Sequence, residues 1–381
     1  MPQLDLVDKS IQLHRFPVRE DEPLRPWDAA DEYLLRHLDD EALPAPGHRL
    51  LLVNDAFGAL AVALHGRGPT SWSDSYLSRL ALDHNLALNG LDTGGVTFVP
   101  RDTPPPGPIN LVLLKIPKSL ADLEDSLLRL RAVLAPDARV IAAGMIKHTP
   151  ARVYRLMETI VGPTRTGLGW KKARLATAAF DPDRDLPERL APGRYLLEEY
   201  GWTLVSGAGV FSRDHLDLGT RFLLEHLPAG DEPLRIADLG CGNGVLALAL
   251  ARRCPAASIL GVDESYLAVG SARKNLAHAG LGGRDITFVV GDGLAAHEAA
   301  GFDLVVCNPP FHQVQAVGDH IARRLFDQAQ RALRPGGELL VVGNRHLGYH
   351  VRLKSLFGNC RLVATERRFS VLSAVRSSEH P

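Results

Sequence analysis

The stretch LRIADLGCGNGVLALALARR, residues 234–253, decides the fold of this chain. LRIADL is a short apolar strand run and VLALALARR a helical one; between them Asp238-Leu-Gly-Cys-Gly-Asn-Gly244 turns the chain through three glycines. Glycine adopts dihedrals closed to other residues and lets a backbone approach a ligand closely. Outward from this loop the same rhythm continues. SILGVD (258–263) predicts a strand and YLAVGSARKNLAHAG (266–280) a helix ended by Gly280. ITFVV (286–290), FDLVVCN (302–308) and ELLVVG (338–343) predict strands, and IARRLFDQAQRALR (321–334) a helix broken by Pro335-Gly336-Gly337. Strand and helix alternating at this spacing build a mostly parallel sheet wound on both faces.

The pattern occurs twice. Residues 76–102 align without gaps on residues 266–292 with 11 of 27 positions identical, among them Asn85/Asn275, Gly90/Gly280 and Asp102/Asp292. RAVLAPDARVIAAG (131–144) parallels QRALRPGGELLVVG (330–343), and GALAVAL (58–64) parallels GVLALAL (244–250). Any two α/β segments share a helix–turn–strand rhythm, but several matched blocks in one order point to duplication. A length of 381 residues independently suggests two domains. FDPDRDLPERLAPG (180–193) has linker character, so the expected domains are residues 1–185 and 194–381.

Composition excludes several classes. With 45% hydrophobic and 23% charged residues the chain can bury substantial cores, and nothing marks it as disordered. A net charge of −1 gives no global sign of a nucleic-acid binder, while leaving room for a local basic patch. Cys241, Cys254, Cys307 and Cys360 form no C-x-x-C pair, so no metal site is expected. Two of them adjoin the candidate ligand loops, where oxidation would be hazardous; a reduced, cytosolic setting fits. The first residues lack a signal-peptide core, and no run approaches the roughly 20 apolar residues of a membrane span.

The acids say what the glycine loop holds. Asp263 ends the next strand, with 24 residues between it and Asp238, where a carboxylate can accept from both hydroxyls of a ribose. Asp292, between Gly291 and Gly293, is placed to meet an adenine amino group. A nicotinamide dehydrogenase shares strand, glycine loop, helix and acid, but its fingerprint is G-x-G-x-x-G and the spacing here is G-x-G-x-G. Asp238 two residues before the first glycine is the methyltransferase form. The expected cofactor is therefore S-adenosyl-L-methionine, with Asp238, Gly240, Cys241, Gly242, Asn243, Gly244, Asp263, Glu264, Asp292, Gly293 and Asn308 as its candidate contacts.

Asn308-Pro309-Pro310-Phe311 follows the strand FDLVVC. A bare N-P-P is ordinarily a turn. At the carboxyl edge of a sheet that binds a nucleoside, it lies in the ligand crevice. An exocyclic nitrogen is a poor nucleophile because its lone pair is delocalised. An asparagine oxygen and a neighbouring carbonyl can accept its N–H bonds and free that lone pair. Proline has no N–H, so Pro309 and Pro310 present carbonyls on a rigid turn, and Phe311 offers a face for stacking a planar base.

These residues, with VFSRDHLDLG (210–219), VDES (262–265), CNPPFHQ (307–313), NRHLGYH (344–350) and FGNC (357–360), resemble the bacterial ribosomal RNA guanine-N2 methyltransferases. RFP (15–17), WDAADEYLL (27–35), NDAFGAL (54–60) and WKKARL (170–175) extend the resemblance to nearly the whole chain. It implies an α/β fold of two tandem Rossmann-like class I methyltransferase domains, the N-terminal copy degenerate and the C-terminal one acting on guanine N2 of 23S ribosomal RNA. His312 and Gln313 favour the large-subunit branch, since the small-subunit (16S) branch more typically reads NPPFHDG. Protein-glutamine methyltransferases, which use similar amide chemistry, usually carry tyrosine where Phe311 stands.

The first copy has lost the chemistry. Its loop keeps only Gly58, Ser73 replaces Asp263, and Lys115-Ile116-Pro117-Lys118 replaces N-P-P-F. Packing or RNA binding is the role left to it. TRTGLGWKKAR (164–174) carries four basic residues, no acid and Trp170, making Lys171, Lys172 and Arg174 candidate RNA contacts beside the equally available reading of a solvated face. Arg323, Arg324, Arg331 and Arg334 share one predicted helix and read as solvated. His346 and His350 lack a third metal ligand nearby.

Overall fold

The computed structural model describes residues 2–186, 192–297, 299, 301–310 and 315–378. The chain divides into two compact units, residues 1–191 and 192–381. The first unit runs through β1 (Gln3–Asp5), β2 (Ser10–Gln12), α1 (Ala29–Asp40), β3 (Leu50–Val53), α2 (Ala59–Ala63), β4 (Thr70–Ser73), α3 (Tyr76–Leu88) and β5 (Thr97–Pro100). It continues with β6 (Ile109–Lys115), α4 (Leu120–Arg131), β7 (Leu134–Met145), α5 (Ala151–Ile160), β8 (Thr164–Trp170) and β9 (Ala173–Ala179). The second unit begins with β10 (Gly193–Leu197), β11 (Trp202–Ser206), α6 (Leu218–Leu224), β12 (Arg235–Leu239), α7 (Val245–Arg253), β13 (Ser258–Asp263) and α8 (Tyr266–His278). Then follow β14 (Ile286–Val290), β15 (Phe302–Cys307), α9 (Gln315–Ala332), β16 (Leu333–Asn344), α10 (Tyr349–Phe357), β17 (Arg361–Thr365) and β18 (Phe369–Val375).

Each unit is built on a seven-stranded sheet, and the two sheets share one order: β5-β4-β3-β6-β7-β9-β8 and β14-β13-β12-β15-β16-β18-β17. Neighbours pair in parallel as far as β7 and β16, after which the last two strands pair antiparallel. The duplicated sequence is thus a duplicated fold. Helices α3 and α8 are both 13 residues long, and each is capped by a serine, Ser75 or Ser265, whose hydroxyl accepts a first-turn N–H. Helix α7 is apolar on nearly every side because it is buried on nearly every side, Val245 to Ala251 without exception. No helix of the described residues is long and apolar enough to cross a membrane.

Two elements differ from the sequence expectation. The helix expected to reach Arg334 ends at Ala332, because Leu333 already pairs with Phe302 in the sheet; Pro335-Gly336-Gly337 makes an irregularity inside β16 and Arg334 lies on that strand. The same register shift occurs between β6 and β7. The hairpins β10–β11 and β17–β18, too short for a periodic signal, were not foreseen.

Candidate functional site

The glycine loop leaves β12 with three residues in the left-handed region: Gly240 (φ 78), Gly242 (φ 55) and Gly244 (φ 85). A side chain at Gly240 or Gly242 would meet nothing within 4 Å, whereas a Cβ on Gly244 would fall 2.9 Å from that of Ala272. The first two glycines therefore open a cradle and the third lets α7 pack on α8. Behind the cradle Asp238 is fully buried. Its Oδ2 accepts from Ala247 N at 3.0 Å, its Oδ1 has no partner among the described residues, and burial pushes the carboxyl up to about 7. Asp263 accepts from Gly242 N (2.8 Å) on Oδ2 and from Ser265 N (3.0 Å) on Oδ1, tying the loop to the end of β13. The Glu264 backbone N–H is a third donor to the carboxylate, which keeps acceptor capacity for a ribose hydroxyl. Burial raises its pKa too.

The other loop residues sort by orientation. Burial, then the carboxylates of Asp263 and Asp238, push the Cys241 thiol well above its usual range, so it stays protonated. Asn243, expected among the cofactor contacts, turns its side chain the other way: Nδ2 donates to Tyr195 Oη (3.0 Å) and Ser206 Oγ (3.1 Å), pinning the β10–β11 hairpin. Glu264 is exposed. Asp292, expected to meet an adenine amino group, is ion-paired with Arg324 of α9. One turn on, the buried Gln328 accepts from Leu294 N and donates to the Asp292 carbonyl, both at 3.1 Å. Its Oε1 would lie 2.1 Å from a Cβ on Gly293, whose φ of 54 also favours glycine. Sequence reading assigned Arg324 to solvent; the i, i+4 spacing of Arg324 and Gln328 was the available signal.

Asn308 stands just beyond the end of β15, with Pro309 buried and Pro310 exposed; Phe311, His312 and Gln313 lie outside the described residues. Its Nδ2 donates to Thr220 Oγ1 (2.7 Å) and to Asp217 Oδ2 (3.3 Å). Its Oδ1 is buried and has no partner among the described residues. Because a carboxylate can only accept, these contacts fix which end of the carboxamide is the free acceptor. Sequence reading had not singled out Asp217 and Thr220. Asp217 is the N-cap of α6, with Thr220 N donating to its Oδ2 at 2.9 Å.

Sheet register identifies the first unit's counterparts. Val53 pairs with Leu114 as Leu239 pairs with Cys307, so Lys115 stands where Asn308 stands. Asn54 (φ 61) and Gly58 (φ 76) repeat the backbone of Gly240 and Gly244. Asp55, however, sits at the position of Cys241 and does the work of Asp238, its Oδ2 accepting from Ala61 N at 2.9 Å; burial pushes it, too, up to about 7. Arg101, fully buried at the position of Gly291, pairs with Asp122 (2.7 Å) and Asp125 (3.5 Å). Open cradle has become packed interior.

Lys171 and Lys172 form the two-residue turn between β8 and β9, both in the left-handed region (φ 44 and 66). The segment is not free of acid in space: Lys171 pairs with Glu32 at 2.5 Å while lying 4.5 Å from the Trp170 ring centroid. Lys172 is exposed, and Arg174 is half-buried with Nε lacking a partner. Among the described residues no group of three or more His, Cys, Asp or Glu is disposed to hold a metal ion.

Residues 1–182 match the RLMG N-terminal domain family and residues 201–373 the methyltransferase small domain family. The chain is 50% identical over 375 residues to ribosomal RNA large subunit methyltransferase G of Ectopseudomonas mendocina, covering 98% of this chain and all of that one. It is 51% identical to the protein of the same name from Pseudomonas aeruginosa (98% and 97% covered) and 47% identical to that of Erwinia tasmaniensis (99% and 100%). Among solved structures it is similar to a 16S rRNA N2 methyltransferase of T. thermophilus in complex with AdoMet and guanosine. That likeness has a TM-score of 0.76 at 24% identity over 98% of this chain and 97% of that one, and bears on the fold alone.

Proposed function

The chain belongs to the family of ribosomal RNA large subunit methyltransferase G, and on that premise we propose that it transfers a methyl group from S-adenosyl-L-methionine to the exocyclic N2 of a guanine in 23S ribosomal RNA. The observation that carries this reading is the buried Oδ1 of Asn308 at the carboxyl edge of the sheet, unpaired among the described residues. Leaving a buried acceptor unmatched costs about 1–3 kcal/mol, a cost that a donor from the substrate removes.

The cofactor, when bound, supplies a methyl group made electrophilic by its sulfonium. The residues present fit it. The open cradle over Gly240 and Gly242 admits a ligand against the backbone, Asp263 has acceptor capacity left for a ribose hydroxyl, and the Oδ1 of Asp238, unpaired among the described residues, suits an ammonium donor. Asn308 Oδ1 accepts one N–H of the guanine amine, which localises the nitrogen lone pair and aims it. Pro309 and Pro310 add a rigid turn without donors. Rate comes from this orientation and from fixed dipoles. The second unit is the catalytic domain. The first, its site filled by Asp55, Arg101 and Lys115, serves RNA binding, with Lys171 and Lys172 at its β8–β9 turn, and the enzyme works in the cytoplasm, where ribosomal RNA is.

Two measurements test this. N2-methylguanine is mapped in 23S and 16S ribosomal RNA from cells with and without the gene; one 23S guanine should lose its methyl group, and an unchanged map or a loss in 16S would refute the assignment. In the purified protein Asn308→Ala should lower turnover by about 100–1,000-fold while leaving cofactor affinity alone. Equal loss of both would remove Asn308 from the substrate side.

A further inference from the structure

Resting on the methyl-transfer reading, we propose that Asp217 and Thr220 are positioning residues that hold the Asn308 carboxamide with Oδ1 toward the substrate amine. The polarity of the contacts leaves no alternative orientation. Asp217 Oδ2 accepts from Thr220 N at 2.9 Å and from Thr220 Oγ1 at 3.3 Å. The threonine proton is thereby committed to the carboxylate, and the hydroxyl meets Asn308 Nδ2, 2.7 Å away, with a lone pair. A carboxamide turned by half a rotation would set Oδ1 against two oxygens without a proton between them. The cap itself is braced: Ser212, in the left-handed region at φ 60, accepts from Asp217 N at 2.7 Å and donates to His215 O at 2.6 Å.

The first unit supplies an independent argument. The same three positions are filled there by the α1 N-cap Asp28, by Asp31 three residues on, and by Lys115. Lys115 Nζ lies 2.7 Å from Asp28 Oδ1 and 2.6 Å from Asp31 Oδ2. Charge explains both sets: two carboxylates match an ammonium, whereas one carboxylate and a neutral hydroxyl match a neutral amide. An ammonium offers no acceptor, so where the helix cap changed partner the acceptor for a substrate N–H disappeared. Between the two copies the residue after the strand and the residue three past the cap differ together, as a positioning residue and the group it holds would.

The test uses the full chain with Thr220→Val, which keeps shape and removes the hydroxyl, and Thr220→Ser, which restores it. The first should lower kcat by about 100-fold, the scale of a misaligned reacting group, with cofactor affinity unchanged and a modest fall in melting temperature from the lost buried hydroxyl. The second should recover most of the turnover. In 15N spectra the Asn308 side-chain amide, assigned by its loss in Asn308→Ala, should be protected from exchange in the parent and in Thr220→Ser and exposed in Thr220→Val. Thr220→Ala carries the same expectations should Thr220→Val fail to fold. Parent-like kcat or amide protection without the hydroxyl overturns the proposal, as does equal loss in the serine and valine variants. The amide spectrum needs no RNA, so it decides the positioning claim even if the parent methylates no guanine, a result that would sink the functional reading instead.

Discussion

Replacing Asp238 by asparagine should stabilise the cofactor-free chain at neutral and higher pH while weakening its hold on the cofactor. The carboxyl is fully buried with one oxygen on Ala247 N and the other unpartnered. The rise from the ordinary 3.8 to about 7 corresponds to a preference for the neutral form of about 4 kcal/mol. Between those values the native state holds a proton that the unfolded chain has released. Stability is therefore greatest at the acid end of the window, declines as pH rises through it, and flattens above 7. Asparagine keeps the acceptor for Ala247 and carries no charge, so the gain at pH 8 approaches about 4 kcal/mol, less about 1–3 kcal/mol for an unmatched amide N–H. Asp55, raised likewise to about 7, contributes a slope of its own, which Asp55→Asn should remove. Denaturant unfolding from pH 5 to 8 without cofactor reads the slope, and calorimetry reads the affinity. If Asp238→Asn keeps the full parental slope, or is the less stable protein at pH 8, the buried carboxylate is not the strained group inferred here.

Asp263→Ala should weaken cofactor binding by about 1.5–3 kcal/mol, the range for a hydrogen bond to a charged group; an unchanged dissociation constant would dissociate Asp263 from the ribose. Calorimetry should return one cofactor per chain, because Asp55, Arg101 and Lys115 occupy the first unit's counterpart positions. A stoichiometry of two would mean that interior can open. Lys171→Ala with Lys172→Ala should lower RNA affinity across sequences and reduce the log–log salt slope by roughly 0.7–0.9 per lost phosphate contact. Arg174, half-buried, is left out of that variant, and parental binding at every salt concentration would make the β8–β9 turn a solvated surface.

What the sequence determined by itself is local or periodic. Strand and helix alternation follows from which residues can be buried on which face, and Gly240, Gly242 and Gly244 announce a turn through the left-handed region whatever surrounds them. The repeat was legible because Asn85 and Asn275 answer one physical need in both copies. Each side-chain amide bonds the backbone of an upstream residue, His14 just past β2 or Val205 in β11, and that of the residue before the helix-opening glycine, Phe57 or Asn243. Tertiary structure alone decided which way side chains face and whom they meet. Asn308 lies 88 residues from Thr220, Asp292 lies 32 from Arg324, and Asn243 lies 48 from Tyr195. Such pairings depend on sheet register and on the rotation of helices over the sheet, which no local pattern encodes. For the same reason Asp55 could take over the work of Asp238 from a position three residues later in the loop: the helix N-terminus needs an acceptor in space, and any residue that reaches it will serve.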